Sequence, residues 1–114
     1  MPYDRAAADR VREALASQRG VVEKAMFGGL GFLLHDHMCV GLWREFLILR
    51  IGPDGYEAAL SRPFVKEFDI TGRPMTGWIM LHPDGFDDDA DLRDWIGQAV
   101  AFVRTLSPKK NGGR

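Results

Sequence analysis

The chain has 114 residues, 46% of them hydrophobic and 27% charged, which is the length and composition of one globular domain. Its net charge of −1 argues against a nucleic-acid binder that acts through its whole surface. The single cysteine, Cys39, excludes an intramolecular disulfide, and there is neither a signal sequence nor an apolar run long enough to span a bilayer, so the sequence predicts a cytoplasmic protein.

Residues 3–18 have the pattern of an amphipathic helix. Asp4 can cap its first turn, and Gly20 is a typical residue after a helix end. Apolar residues recur at helical spacing on one side, namely Ala7, Val11, Ala14 and Leu15.

Four short strands are predicted next, because aliphatic and aromatic residues dominate from residue 21 to residue 51. The segments from His35 to His37 and from Arg44 to Glu45 have the length of tight hairpin turns. Connections this short allow only antiparallel neighbours, so the strands form a meander. The predicted strands cover residues 22–26, 30–35, 38–43 and 46–51.

The pattern of the second half of the chain predicts a short helix at 55–60 and a long final helix. Between them it predicts two strands, at 66–70 and 75–82, which are separated by a loop at 71–74. The helix has apolar residues at helical spacing, at Leu92, Trp95, Ile96, Ala99, Val100, Val103 and Leu106. Aspartates at 87, 88, 89 and 91 precede it or begin it, where the helix dipole favours negative charge. Residues 108–114 are predicted to be a flexible tail, which leaves 1–107 as a single domain.

The order α-β-β-β-β-α-β-β-α predicts an α+β fold, an antiparallel sheet with helices at both chain ends and one short helix between strands. In residues 32–34, 46–51 and 78–81 both alternating faces are largely apolar, unlike a sheet with one wet face. Three helices can cover one face, so the other needs a partner or a concave binding surface. A symmetric homodimer is the simplest arrangement.

The stretch MFGGLGFLL, residues 26–34, poses the question of a phosphate-binding loop. Such a loop needs glycine amides at the N-terminus of a helix, whereas Gly31 is followed here by residues of strand character. The favoured interpretation is that Gly28 and Gly29 form a tight connection or bulge. Gly31 then lets a strand bend or pack closely against a neighbour.

Several segments in order resemble the N-terminal domain of the TfoX/Sxy family. They are MFGGLGF at 26–32, RIG at 50–52, YEAAL at 56–60, Phe68, TGRPM at 71–75 and Trp78. The resemblance implies an α+β, secretion-chaperone-like fold that often dimerises. It also implies kinship with bacterial transcriptional co-regulators of natural competence. The second, helical domain of full-length members is absent from these 114 residues, so the competence role is not carried over directly.

Two motifs raise the question of a metal. His35, His37, Cys39 and His82 are possible zinc ligands, but a hairpin tip exposes the histidines, and Cys39 is better explained as a small buried apolar residue. The aspartates from residue 84 onward do not have the EF-hand spacing, so helix capping explains them better. The sequence therefore predicts no metal and no cofactor.

Four side chains are candidates for interaction. Trp43 lies beside a hairpin turn with Phe46 following it, and it is the best candidate for an exposed interface aromatic. Arg50 ends a strand and Arg73 lies in a Gly-Arg-Pro loop, so either could hold a carboxylate or phosphate, although an ion pair with the chain's own acids is favoured. Structural roles are predicted for Gly28, Gly29, Gly31, Gly52 and Gly72.

The sequence predicts a non-enzymatic regulatory module that binds a protein partner and forms a homodimer. One alternative is a small-ligand-binding domain or enzyme with a pocket at Arg50, Arg73 or Tyr56, although no acid–base or nucleophile–base pair is recognisable. A second alternative, direct DNA binding, is disfavoured by the charge balance.

Overall fold

A computed structural model describes residues 3–26, 28–70 and 72–106 and contains the predicted order of helices and strands. The predicted tail at 108–114 lies outside the described residues, as do Phe27 and Thr71 of the family-like segments. The elements are α1 (Arg5–Ala14), β1 (Val21–Met26), β2 (Gly29–Leu34), β3 (His37–Trp43), β4 (Phe46–Arg50), α2 (Tyr56–Leu60), β5 (Val65–Glu67), β6 (Trp78–Leu81), a short 3-10 helix (Pro83–Gly85) and α3 (Asp89–Val103).

The six strands form one antiparallel sheet in the order β1-β2-β3-β4-β6-β5. The predicted meander of the first four strands is therefore confirmed. The chain then passes through α2 to the outer position, β5, and returns as β6 beside β4. The strands β5 and β6 are shorter than predicted because the segment between them turns on itself, with hydrogen bonds from the Gly72 N–H to the Asp69 carbonyl and from the Met75 N–H to the Phe68 carbonyl.

The helix α1 begins as predicted, since the Asp4 carboxylate accepts hydrogen bonds from the N–H groups of Ala6 and Ala7. Its helical hydrogen bonding ends at Ala14, four residues before the predicted end, in a turn around Leu15. Arg10 links α1 to the start of α3 by donating to the Phe86 carbonyl at 2.6 Å and to the Asp89 carboxylate at 2.9 Å. The aspartates before α3 cap it as predicted, with the Asp88 carboxylate accepting from the Ala90 N–H.

All three helices cover one face of the sheet. Their apolar residues join the alternate strand residues of that face in the larger core, which includes Trp95 of the apolar side of α3. Its fully buried strand residues are Phe32, Leu34, Val40, Leu42, Leu47, Leu49, Ile79 and Leu81.

The opposite face, called here the helix-free face, carries a second and smaller core. Ile48 and Met80 are fully buried there together with Phe68, so the prediction that both sides of the sheet are apolar is confirmed. Part of their cover comes from the chain itself, because Phe68 and Ile70 of the β5–β6 connection pack on this face. The exposed remainder of the face lies toward the β3–β4 turn, at the outer end of β5, and over β1 and β2, where Val22 is 55% exposed.

The glycine stretch leads into a strand and not into a helix, which excludes a phosphate loop at this point. Gly28 has a φ of +79° in the connection between β1 and β2. At Gly31 a β-carbon would lie 2.7 Å from the Met26 sulfur, so this glycine permits the close approach that the sequence predicted. Gly52 has a φ of +87°, and a β-carbon there would lie 2.3 Å from the Phe102 ring. Gly72 has a φ of +97° in the β5–β6 connection.

Cys39 is the extra residue of a β-bulge. Phe32 pairs with Val40 and Leu33 pairs with Met38, so Cys39 has no partner on β2. The bulge lets Cys39 and Val40 both enter the helix-side core while Met38 packs on the helix-free face. Cys39 is 2% exposed, as expected for a small buried apolar residue.

We expect the Cys39 thiol of the folded protein to be inert. Burial raises its pKa to about 12, although Arg50 and Arg104 oppose the shift, so almost no thiolate exists at pH 8. Reaction with a disulfide reagent at pH 8 should be slower by at least about a hundredfold than the reaction of the same protein in guanidinium chloride. Equal rates in the two conditions would show that the thiol is accessible in the folded state.

Candidate interaction surface

Four rings form a line across one end of the helix-free face. Trp43 of β3 pairs with Phe46 of β4, and the β4–β6 register places His82 opposite Phe46, one residue beyond the paired strands. The β5–β6 register places Phe64 opposite His82, and the His82 N–H donates to the Phe64 carbonyl at 2.9 Å. We call these four residues, Trp43, Phe46, His82 and Phe64, the aromatic row.

Neighbouring rings of the aromatic row are in contact. The ring centroids of Trp43 and Phe46 are 6.4 Å apart, and the two ring planes are nearly parallel, with 22° between them. The Phe46 and His82 rings meet edge to face at 6.2 Å, and those of His82 and Phe64 lie 6.4 Å apart at 30°. Such pairs stabilise one another by about 0.5–1.5 kcal/mol each. The row is thus a continuous surface over four strands and not a set of isolated side chains.

Phe64 has an unusual backbone conformation. Its φ of +69° lies in the left-handed region, which is rare for a bulky residue and costs about 1–3 kcal/mol. The hydrogen bond from His82 holds the Phe64 carbonyl in place, while the side chain is 52% exposed. The fold therefore maintains a strained backbone at a residue whose ring is presented to solvent.

Two cations lie on the rings of the aromatic row. The Arg44 guanidinium is 4.4 Å from the centre of the Trp43 ring, and the Lys66 ammonium is 5.3 Å from the centre of the Phe46 ring. Neither forms an ion pair with any residue in the described ranges. Their positive charges are therefore available to an acidic group from outside.

An open groove of about 480 Å³ runs beside the β5 end of the row. Its lining residues are Phe46, Phe64, Val65, Lys66, His82 and Asp84. The His82 Nδ1 atom accepts a hydrogen bond from the Asp84 N–H at 3.1 Å, so the neutral ring carries its proton on Nε2. The groove combines aromatic walls with the Lys66 ammonium, the His82 imidazole and the Asp84 carboxylate, whose Oδ2 atom lies 3.7 Å from His82 Nδ1.

The sequence-predicted interaction residues separate into two groups. Trp43 and Phe46 adjoin each other in the aromatic row and are both half-buried. Arg50 lies elsewhere, between the rings of Trp78 and Phe102 at 5.1 and 5.8 Å, so ring stacking takes the place of the favoured ion pair. Arg73 is exposed in the β5–β6 connection, and no described carboxylate lies within ion-pair distance of it.

The pocket suggested at Arg50, Arg73 and Tyr56 has little support in the geometry. The Tyr56 phenol is buried beneath α2, and burial together with nearby Glu67 and Glu57 raises its pKa. Five grooves on the described surface are each lined by other residues. Arg50 and Tyr56 thus have packing roles in this fold.

The histidine hairpin likewise has a structural explanation. His35 and Asp36 both have positive φ values, of 54° and 67°, as a two-residue hairpin turn requires, and both are exposed at its tip. Within the described ranges, no three His, Cys, Asp or Glu side chains come together in a way that could hold a metal ion.

Phe64 and Lys66 are not among the surface residues that the sequence predicts, and His82 is a candidate there only as a metal ligand. The sequence does contain a signal for two of these residues, because each has a proline as its chain neighbour: Phe64 follows Pro63, and His82 precedes Pro83. These mark strand ends, but only the pairing of β5 with β6 brings them together.

Comparison with known proteins gives one match. The model of the TfoX N-terminal domain family matches residues 13–103, most of the 114-residue chain. Neither a curated protein nor a solved structure matches. In the described part of the chain, every helix is too short or too polar to cross a membrane. The chain belongs to the TfoX N-terminal domain family.

Proposed function

We propose that this protein is a non-enzymatic, cytoplasmic interaction module with a regulatory role, which forms a homodimer and binds a protein partner. Family membership supports a role near that of the TfoX transcriptional co-regulators of competence. The observation that carries the proposal is the aromatic row, a line of rings on a sheet face that no helix covers.

The composition of the aromatic row suits protein recognition. Tryptophan and arginine are enriched among the residues that contribute most to binding, and Arg44 stacked on Trp43 supplies both at one place. Trp43 and Phe46 are already half-buried and in ring contact, so these two side chains lose little conformational entropy when a partner covers them. The same surface on a second copy is self-complementary around a two-fold axis if rings pack on rings.

We expect Trp43→Ala and Phe46→Ala each to weaken self-association by tenfold or more, because each removes a ring from the centre of the proposed interface. Sedimentation velocity over a range of protein concentrations measures the effect. Val22→Ala is the matched control, since Val22 is 55% exposed on β1 at the far edge of the sheet. An unchanged dimer for both ring variants would overturn the aromatic row as the dimer interface, and a strictly monomeric parent protein would overturn the homodimer.

A further inference from the structure

We propose that the groove beside β5 binds an extended, acidic peptide segment of a partner protein, which adds a strand to the outer edge of β5. This inference rests on the proposed interaction function and gives the chemistry of the partner. Trp43 lies at the opposite end of the aromatic row, so a dimer that packs on it leaves the outer edge of β5 accessible. Phe46 lines the groove as well as the proposed dimer interface, so the peptide and a second copy are expected to compete for the Phe46 ring.

The outer edge of β5 presents backbone hydrogen-bonding groups. β5 is the last strand of the sheet, and Phe64 directs its carbonyl toward His82 of the neighbouring chain segment. Hydrogen-bonding direction alternates along a strand, so Lys66 also faces β6 while the N–H and C=O of Val65 and Glu67 point outward. An extended peptide can pair with these groups in the manner of strand addition.

The groove lies next to this edge, so its lining determines which side chains of a bound peptide it can accommodate. Phe64 and Lys66 are two residues apart on the helix-free face, and an added strand places alternate side chains beside them. An apolar or aromatic side chain fits beside Phe64 and Phe46. An acidic side chain fits beside the Lys66 ammonium, which has no ion-pair partner among the described residues.

The other edge of the sheet lacks this combination. On β1, Glu23 is held by two hydrogen bonds from Arg12, at 2.6 and 2.8 Å, which hold the pKa of the Glu23 carboxyl below its usual range. The groove near β1 is lined by Arg12 and Glu23 with one aromatic residue, Phe32, which is itself buried in the core. Only at β5 does an open edge adjoin exposed rings and an unpaired cation within the described structure.

The test uses short fluorescein-labelled peptides in a serine and threonine background. One peptide carries aspartate and phenylalanine two residues apart, a second carries lysine in place of the aspartate, and a third has proline in the strand to remove a backbone N–H. Fluorescence anisotropy measures their affinity for the full chain and for the variants Lys66→Glu and Lys24→Glu. Lys24 is the matched control because it is an exposed lysine on the opposite edge strand, β1.

We expect the aspartate peptide to bind the parent chain at least tenfold more tightly than the lysine peptide or the proline peptide. The preference should reverse with Lys66→Glu, which binds the lysine peptide better, and should persist with Lys24→Glu. Circular dichroism of both variants establishes that they are folded.

Three outcomes would overturn the inference. They are no binding by any peptide, equal affinity for the aspartate and lysine peptides, and loss of the preference in Lys24→Glu as much as in Lys66→Glu. Oligothymidylate that binds tightly and displaces the aspartate peptide would assign the surface to single-stranded nucleic acid instead. If Trp43→Ala weakens self-association by tenfold or more in any of these cases, the proposed function stands and only the peptide chemistry fails.

Discussion

Replacing Gly29 with alanine is expected to destabilise the fold by roughly 3 kcal/mol. A β-carbon at this position would lie 2.1 Å from the Leu42 carbonyl oxygen and 3.3 Å from the Trp43 α-carbon. Both atoms belong to the backbone of β3, so no side-chain rotation can make room. The strands β2 and β3 would have to separate at this end, with loss of ladder hydrogen bonds and of packing beneath Leu30 and Leu42.

Gly28→Ala is the control for this variant, since the neighbouring glycine has a different constraint. Its φ of +79° disfavours alanine, but a β-carbon there would meet nothing within 4 Å. The expected cost is about 1 kcal/mol, that of a left-handed conformation alone. Urea denaturation followed by circular dichroism measures both variants. If the two variants lose equal free energy of unfolding, the strands β2 and β3 separate easily at Gly29, and the close approach of the β3 backbone does not constrain this position.

The two glycines illustrate what the sequence could predict. Residues 26–34 contain no helix signal after the glycines, and this was enough to favour a connection followed by a strand. The sequence does not indicate which of the two glycines is constrained by its φ and which by the backbone of a neighbouring strand. That distinction depends on the β2–β3 register, and a register becomes visible only when the strands are paired.

The same limit applied to the candidate surface. Trp43 and Phe46 could be predicted together because a two-residue turn joins their strands, so local sequence fixes their pairing. Phe64 and His82 could not, because β6 enters the sheet between β4 and β5, and nothing local specifies that order. A one-residue shift of β5 would turn Phe64 to the other face of the sheet. Arg50 was misjudged for a related reason, since Trp78 and Phe102 reach it from different elements.

Ile48→Ala is expected to cost about 3 kcal/mol, as for a large buried aliphatic residue in a helix-side core. Ile48 is 0% exposed although no helix covers its face. Its cover comes from Met80 beside it in the sheet and from Phe68 of the β5–β6 connection. The variant therefore removes the residue on which that connection packs, and the loss includes the cavity that remains.

Ile48→Val keeps the branched shape and should cost only about 1 kcal/mol, which makes it the matched control. Urea denaturation gives the two values, and hydrogen exchange at the Met75 N–H, which bonds to the Phe68 carbonyl, reports whether the connection loosens. A cost for Ile48→Ala as small as that of the valine variant would mean that the connection does not close this face.

Trp43 and Phe46 pack against the same small core, so a loosened core should also weaken the self-association that they are proposed to support. The stability of this face and binding by the aromatic row therefore depend on the same packed layer of side chains.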